Sequence, residues 1–482
     1  MTSRGPSPRD QRPRDQRMGA FDAVMYGIEG DPLLRTGIVA FIALDGSPDP
    51  AQVSARVERL TRIFPRLRER AVGNPISPAP PRWEIDPNFD PSYHVRWRRL
   101  PDDDATMQDA LDYAARVSES DFDHSRPLWE IAIVTGLVDG RAAVVFKIHH
   151  SVADGMGGLA MSAALFDLAA EPGDLGPLPD APDPEEPSDL LARFVHATRF
   201  ELDAVEEVVV GGAKFALRTA RDLLTSPLDT TVAAGRTALS AAAMLAPQGA
   251  PKSRWMADRS LTCTFTLIEV PLAELKAAAH RAEVTLNVVF MAAVADAVGT
   301  YHRRHGHDLP ELRVNMPVNQ RRPGDEPTSN HWAPARFLVP AGDEHPAPDR
   351  LTRLQRLLEE ARTDPALGLS DMLYKALALL PDPITERLAG GLMKGVDVAA
   401  TNVPGPPVPV YLCGAKVDVL VPFAPKSGAA INVALLTYDD AAFVGINSDP
   451  AAVEDPAEFT ACLAEAFAAL TAEPGLRGVR AH

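Results

Sequence analysis

Cysteine is scarce: Cys263, Cys413 and Cys462 are the only three in 482 residues. So few, so scattered, they exclude a disulfide scaffold and a thiolate metal site, and read as small core or strand residues in a reduced compartment. Positive charge is short as well. Against 65 Asp and Glu stand 48 Lys and Arg, a formal net charge of −17, and a nucleic-acid groove would work against that field. Long apolar runs are missing too. The best, Val288 to Ala295, stops at Asp296, short of the ~18 residues that cross a bilayer. Met1 to Arg17 lacks the apolar stretch of a secretory signal, so a cytoplasmic protein is expected, lying at most on a membrane face.

What is present is an ordinary globular balance, 46% apolar and 23% charged, with length enough for at least two cores. Residues 1–17 repeat Pro-Arg-Asp-Gln-Arg with no apolar anchor and read as a disordered tail whose arginines attract at most anionic headgroups. Residues 18–174 form a first α/β half: strands are predicted over Thr36 to Leu44, Glu130 to Leu137 and Ala142 to Ile148, and a helix over Pro50 to Phe64. Residues 175–260 begin with a proline-rich acidic linker, Leu175 to Asp189, followed by alanine-rich helices at Leu190 to Leu224 and Thr230 to Leu245 that connect the halves.

Residues 261–482 form the second half. Thr262, Thr264 and Thr266 alternate with Cys263, Phe265 and Leu267 as in a half-buried strand. Pro271 then suits the first turn of a helix over Leu272 to Arg281. Further strands are expected at Leu312 to Val318, Arg336 to Val339, Lys416 to Val421, Ala430 to Thr437 and Ala442 to Ile446, with a closing helix over Pro456 to Leu470. The fold class is α/β, with mixed sheets in two halves.

The most informative stretch is Ala142 to Gly158, an apolar strand running into His149, His150, Asp154 and the glycines Gly155, Gly157 and Gly158. Polar groups at the end of a buried strand are easier to explain by function than by packing. Strand alternation sends the two histidines to opposite faces, so they cannot clasp one metal, and only one serves as base. An imidazole, with an ordinary pKa near 6.5, can take a hydroxyl proton at neutral pH and return it to a leaving group. Asp154 orients the turn through backbone or arginine contacts, and Gly155 and Gly157 let a ligand approach the backbone.

His149-His150-Ser151-Val152-Ala153-Asp154-Gly155 fits the HHxxxDG pattern of acyl-CoA-dependent acyltransferases and peptide-synthetase condensation domains, which share a fold like chloramphenicol acetyltransferase. Around it, Phe21-Asp22-Ala23, Ser125 to Glu130 and Asn402-Val403-Pro404-Gly405-Pro406 resemble the bacterial wax ester synthase/diacylglycerol acyltransferase family from about Met18 to Leu470. The resemblance implies two chloramphenicol-acetyltransferase-like domains with a tunnel between them. It implies acyl-CoA as donor substrate, a diacylglycerol or long-chain alcohol as acceptor, and triacylglycerol or wax ester as product. His150 is then the general base, with His149 and Asp154 holding the loop, and no acyl-enzyme, cofactor or metal is expected. Other acceptors, a glycolipid or a polyketide alcohol, share the same base. The implied setting is the cytoplasm, the inner membrane face or a lipid-droplet surface.

Asn287 falls in the first turn of a helix opened by Thr285, where it could help to hold an oxyanion or merely make a helix-start hydrogen bond. The family usually has Asn-Asp here and this chain has Asn287-Val288, which motivates an alternative, a lipid-binding scaffold whose activity has lapsed. Asn402 and Gly405 are candidates for the substrate channel between the halves, and Ser329-Asn330-His331 is a partial match to a further family segment. His302, His305 and His307 follow a helix end among arginines and need no metal, and Asp102 to Asp104 read as capping partners of the next helix. Gly155 to Gly158 lacks the Lys-Ser/Thr of a phosphate loop, and no GxSxG elbow occurs.

Overall fold

Gly37–Leu44 is almost wholly apolar, as befits a strand with neighbours on both edges and cover on both faces. In a computed structural model, which describes residues 17–73, 79–101, 104–171, 173, 175–182, 198, 210, 249–319, 332–341, 347–364, 367, 370–472 and 479–481, this run is β1. The first half continues through β2 (Glu69–Val72), β3 (Arg82–Ile85), β4 (Val95–Arg99), β5 (Trp129–Thr135) and β6 (Ala142–His149). Its helices are α1 (Ala20–Gly27), α2 (Pro50–Ile63), α3 (Pro91–His94), α4 (Met107–Glu119) and α5 (Gly155–Leu165).

The second half supplies β7 (Thr264–Pro271), β8 (Glu311–Asn319), β9 (Trp332–Pro340), β10 (Val398–Pro404), β11 (Tyr411–Leu412), β12 (Ala415–Phe423), β13 (Ile431–Tyr438), β14 (Ala441–Ser448) and β15 (Arg480–Ala481). Its helices are α6 (Leu272–Arg281), α7 (Leu286–Arg304), α8 (Ala347–Arg362), α9 (Ser370–Leu377), α10 (Asp382–Met393) and α11 (Pro456–Thr471). The second sheet has seven strands in the order β15-β7-β14-β13-β10-β8-β9, with β10 parallel to both β8 and β13. The α7 helix is apolar nearly all round from Val288 to Val298 because it lies inside the second core. Among the described residues no single helix is long and apolar enough to cross a membrane.

The first sheet draws strands from both halves. Its six strands run β11-β12-β1-β6-β5-β4, so Tyr411–Phe423, from the C-terminal half, completes the N-terminal sheet. Val39 pairs with Phe423 and Phe41 with Val421, antiparallel, covering an edge of β1 that would otherwise stand open. A second seam joins α1 to α9 and α10: Val24, Met25 and Ile28 pack with Tyr374, Leu377 and Ala389.

Smaller expectations also change. Pro271 is the last residue of β7 and the N-cap of α6, one position before the first turn. Thr106 caps α4 through a box closed by Asp109, a role the sequence reading gave to Asp102 to Asp104. The box satisfies two backbone N–H groups at once, whereas Asp104 stands outside that exchange. The linker over 175–182 has no regular structure, and Arg59 of α2 donates to the carbonyls of Leu175, Gly176 and Pro177. The tail over 1–16, the connecting helices expected at Leu190 to Leu224 (apart from Thr198 and Val210) and Thr230 to Leu245, and Ser329-Asn330-His331 lie outside the described residues.

Candidate active site

All eight residues of β6 are buried, yet Lys147 and His149 are polar and must find partners there. They share one face, two residues apart. The Lys147 ammonium donates to the Ser120 carbonyl (2.7 Å) and hydroxyl (2.8 Å) and sits 3.4 Å from Glu130. Burial pulls its pKa below the usual lysine value, with Glu130 acting the other way. His149 is 0% exposed and fully engaged. The Ser151 backbone N–H (3.0 Å) and hydroxyl (2.7 Å) both meet Nδ1, so that nitrogen is the acceptor and the ring proton lies on Nε2. Nε2 faces Glu29 at 3.1 Å and the Thr36 hydroxyl at 3.2 Å.

Glu29 is the fixed charge of this cluster. Burial pushes its carboxyl up, but the His149 imidazole and the donors of Thr36, N–H at 2.7 Å and hydroxyl at 2.9 Å, outweigh that and hold it at about 2 instead of 4.5. Nothing in the sequence pattern announced Glu29, because it reaches His149 across the fold.

His150 lies one residue beyond the strand, and its backbone N–H still donates to the Thr36 carbonyl (3.3 Å). Its ring lies on the wall of a cavity of about 310 Å³ with a mostly apolar lining. Both halves build that wall: Phe21 and Met25 from α1 and Ile38 from β1 face Asn315 and Pro317 of β8, Trp332 and Arg336 of β9, and Thr401 and Asn402 of β10. The Trp332 ring is 5.3 Å from the His150 ring, and Phe21 meets Trp332 edge-on at 4.7 Å. Burial lowers the Arg336 guanidinium from its usual pKa, with Tyr374 opposing.

Asp154 is the N-cap of α5, accepting from Met156 N (3.0 Å) and Gly157 N (2.9 Å), while Gly158 N donates to its carbonyl (2.8 Å). It therefore fixes the angle at which the loop leaves His150. Gly155 is required by proximity: a Cβ there would stand 2.9 Å from a methyl of Val403 on β10. That contact brings the two halves together beside His150.

The cavity gathers His150, Asp154, Gly155 and Asn402, and leaves out the other expected residues. Gly157 is buried behind the capping loop. Gly405 serves packing, since a Cβ there would fall 2.3 Å from the Thr437 carbonyl. Asn287 is away from the lining, donating to the Met316 sulfur (3.4 Å), which alternates with the cavity-facing Asn315 and Pro317. Thr285 is the N-cap of α7 but makes no side-chain cap bond, and Val288, 1% exposed, belongs to the second core. Sequence reasoning missed Phe21 as a wall residue, Asn315, Trp332 and Arg336; the alternation of β8 and β9 could have placed the last three on one face.

His302 is held by Val298 O (2.7 Å) and Ser253 Oγ (2.7 Å), and Trp255 stacks on His307. Glu29, Asp121 and His124 do bring ligand atoms within 4.8 Å of one another, but Arg35 sits 3.1 Å from Asp121 and opposes a cation.

The wax ester synthase/diacylglycerol acyltransferase catalytic domain matches residues 18–290, more than half of the chain. The chain belongs to this family. The wax ester synthase/diacylglycerol acyltransferase C-terminal domain follows over residues 335–471, and the family is one of acyl-CoA-dependent O-acyltransferases. A putative diacylglycerol O-acyltransferase of Mycobacterium tuberculosis is 32% identical over 98% of this chain and 95% of its own length. A probable diacylglycerol O-acyltransferase of the same species is 29% identical over 91% of each. In fold, the chain is similar to the wax ester synthase/diacylglycerol acyltransferase of Marinobacter aquaeolei, with TM-score 0.61, 19% identity, and 94% of this chain and 98% of that one covered. It is also similar to the first condensation domain of a calcium-dependent antibiotic synthetase, with TM-score 0.58, 18% identity, and 95% and 97% covered. These family members and fold relatives share the two-domain, chloramphenicol-acetyltransferase-like α/β architecture.

Proposed function

We propose that the protein moves a long-chain acyl group from acyl-CoA to the hydroxyl of a diacylglycerol or a long-chain alcohol, giving triacylglycerol or wax ester. The observation that carries this reading is the His150 ring on the wall of an apolar cavity built by both halves. His150 takes the acceptor's hydroxyl proton as the oxygen attacks the thioester carbonyl, and returns it to the departing thiolate. His149, Glu29 and Asp154 hold the strand end and loop so that the imidazole keeps its aim.

The acceptor is met at a lipid surface in this reading. The α10 helix lines the cavity with Ala389, Leu392 and Met393 and exposes Ile384 (49%) and Leu388 (47%), one turn apart, on its outer side. A second acceptor class, a glycolipid or polyketide hydroxyl, is favoured by the polar Asn315, Arg336 and Asn432 on a mostly apolar wall.

Product mass after incubation with palmitoyl-CoA and, in turn, diacylglycerol, hexadecanol and a glycolipid tests donor and acceptor together. Ester from either of the first two supports the reading, and ester from the glycolipid alone moves it to the second class. No ester with any acceptor leaves only a lipid-binding scaffold.

A further inference from the structure

Direct attack on a thioester turns its carbonyl oxygen into an oxyanion, and the largest single rate contribution in such chemistry comes from preorganised donors aimed at that oxygen. The first amides of a helix beside the base are the usual source. Here three of them are spent: Met156 N and Gly157 N both donate to Asp154 Oδ1, and Gly158 N donates to the Asp154 carbonyl, which leaves Gly155 N as the one helix amide open for a share of the task. Asn287, the sequence candidate for this task, faces Met316 away from the cavity.

Among the side chains of the wall, a neutral donor next to His150 has no acceptor among the described residues. The indole Nε1–H of Trp332 is buried and makes no hydrogen bond, although its ring lines the cavity 5.3 Å from His150. A buried indole N–H normally finds a partner, so an orphan beside the base asks for a ligand atom. Its setting suits the task. The edge-on contacts of Phe21 with Trp332 (4.7 Å) and Tyr374 (4.8 Å) fix the ring, and burial of the N–H itself keeps its dipole effective. Trp332 opens β9 opposite Asn319, so the same antiparallel ladder that holds Arg336 across from Asn315 fixes its place.

We propose that Trp332 is a catalytic residue that stabilises the tetrahedral intermediate. The inference rests on His150 being the general base. The acceptor oxygen forms a bond to the thioester carbon while its proton passes to His150, and the carbonyl π pair moves onto oxygen. That oxyanion accepts the hydrogen bond from Trp332 Nε1. As the pair returns, the C–S bond breaks, and the thiolate of coenzyme A takes the proton from the His150 imidazolium.

The test compares Trp332→Phe, Trp332→His and His150→Ala in the full chain, with palmitoyl-CoA and the acceptor found productive. Trp332→Phe keeps an aromatic ring and removes the donor, so kcat should fall about 10²- to 10³-fold while both KM values stay within about threefold. Trp332→His returns an N–H and should recover at least about tenfold of that loss. A Phe variant with kcat within about threefold of the parent, a loss confined to KM, or a His variant no faster than the Phe variant overturns the assignment. His150→Ala separates the two ideas: if it lowers turnover about 10²-fold or more while Trp332→Phe stays within about threefold of the parent, only the oxyanion donor falls. If His150→Ala turns over within about threefold of the parent, the base falls and the donor with it.

Discussion

Two neighbouring imidazoles, His149 and His150, end in opposite circumstances. His149 is sealed, with Ser151 on one nitrogen and Glu29 with Thr36 at the other. His150 stands on a cavity wall beside an indole. One residue of strand geometry makes the difference, since the last side chain of β6 points into the protein and the next lies past the ladder. Saturated hydrogen bonding makes a rigid support, whereas a working base needs an approach route. In the proposed mechanism the doubled histidine therefore divides the labour between holding and reacting.

The sharpest way to break this contrast is His150→Ala. Turnover should drop by about 10²- to 10⁴-fold while the thermal midpoint stays near that of the parent, read by product mass and calorimetry. A large loss of stability with little loss of rate would reverse the two roles.

Next in size is Glu29→Gln, which should cost roughly 2–3 kcal/mol in denaturant unfolding because His149 keeps its donor and loses a charged acceptor. The pH dependence has a definite sign. The Glu29 carboxyl titrates at about 2 in the fold against an ordinary 4.5, so its contribution is present above about pH 4.5 and disappears as pH falls towards 2. The parent should lose stability more steeply than the variant across that window. Parallel curves would show that the carboxylate is not what holds His149.

Gly155→Ala addresses the seam beside the base. The added methyl meets Val403 at 2.9 Å, so the variant should lose about 1–2 kcal/mol of stability and roughly tenfold in kcat. Val403→Ala in the same chain should restore both. The smallest effect is expected from Asn287→Ala, which removes a weak contact to Met316 away from the cavity and should change kcat less than about threefold. A drop of a hundredfold would return Asn287 to the site.

Local pattern carried the elements well. The apolar run Ala142 to Ile148 became β6, which extends one residue further to His149, the Pro50 to Phe64 spacing became α2, and Pro456 to Leu470 matched α11 to within a residue. The motif also led to the cavity through His150 and Asp154. Illegible were the relations between distant segments. Pairing of β12 with β1 joins residues far apart in sequence, and no periodicity encodes a partner. Glu29, Thr36 and His149 meet only after α1, β1 and β6 have packed. Arg336 reads as an ordinary strand residue and Trp332 falls before the expected strand, until β9 is laid against β8 with a face towards His150.

The hairpin of β11 and β12 has a bearing on how the molecule is made. During synthesis the strand carrying the histidines can pair with β1 early, but the outer neighbour of β1 is not translated until residue 423 has emerged. An N-terminal fragment would therefore leave the ribosome with a raw sheet margin, open to self-association, while the later part of the chain is still being built. Maturation of the enzyme is thereby tied to completion of nearly the whole polypeptide, and a nascent chain stalled before that point should be inert and prone to aggregate.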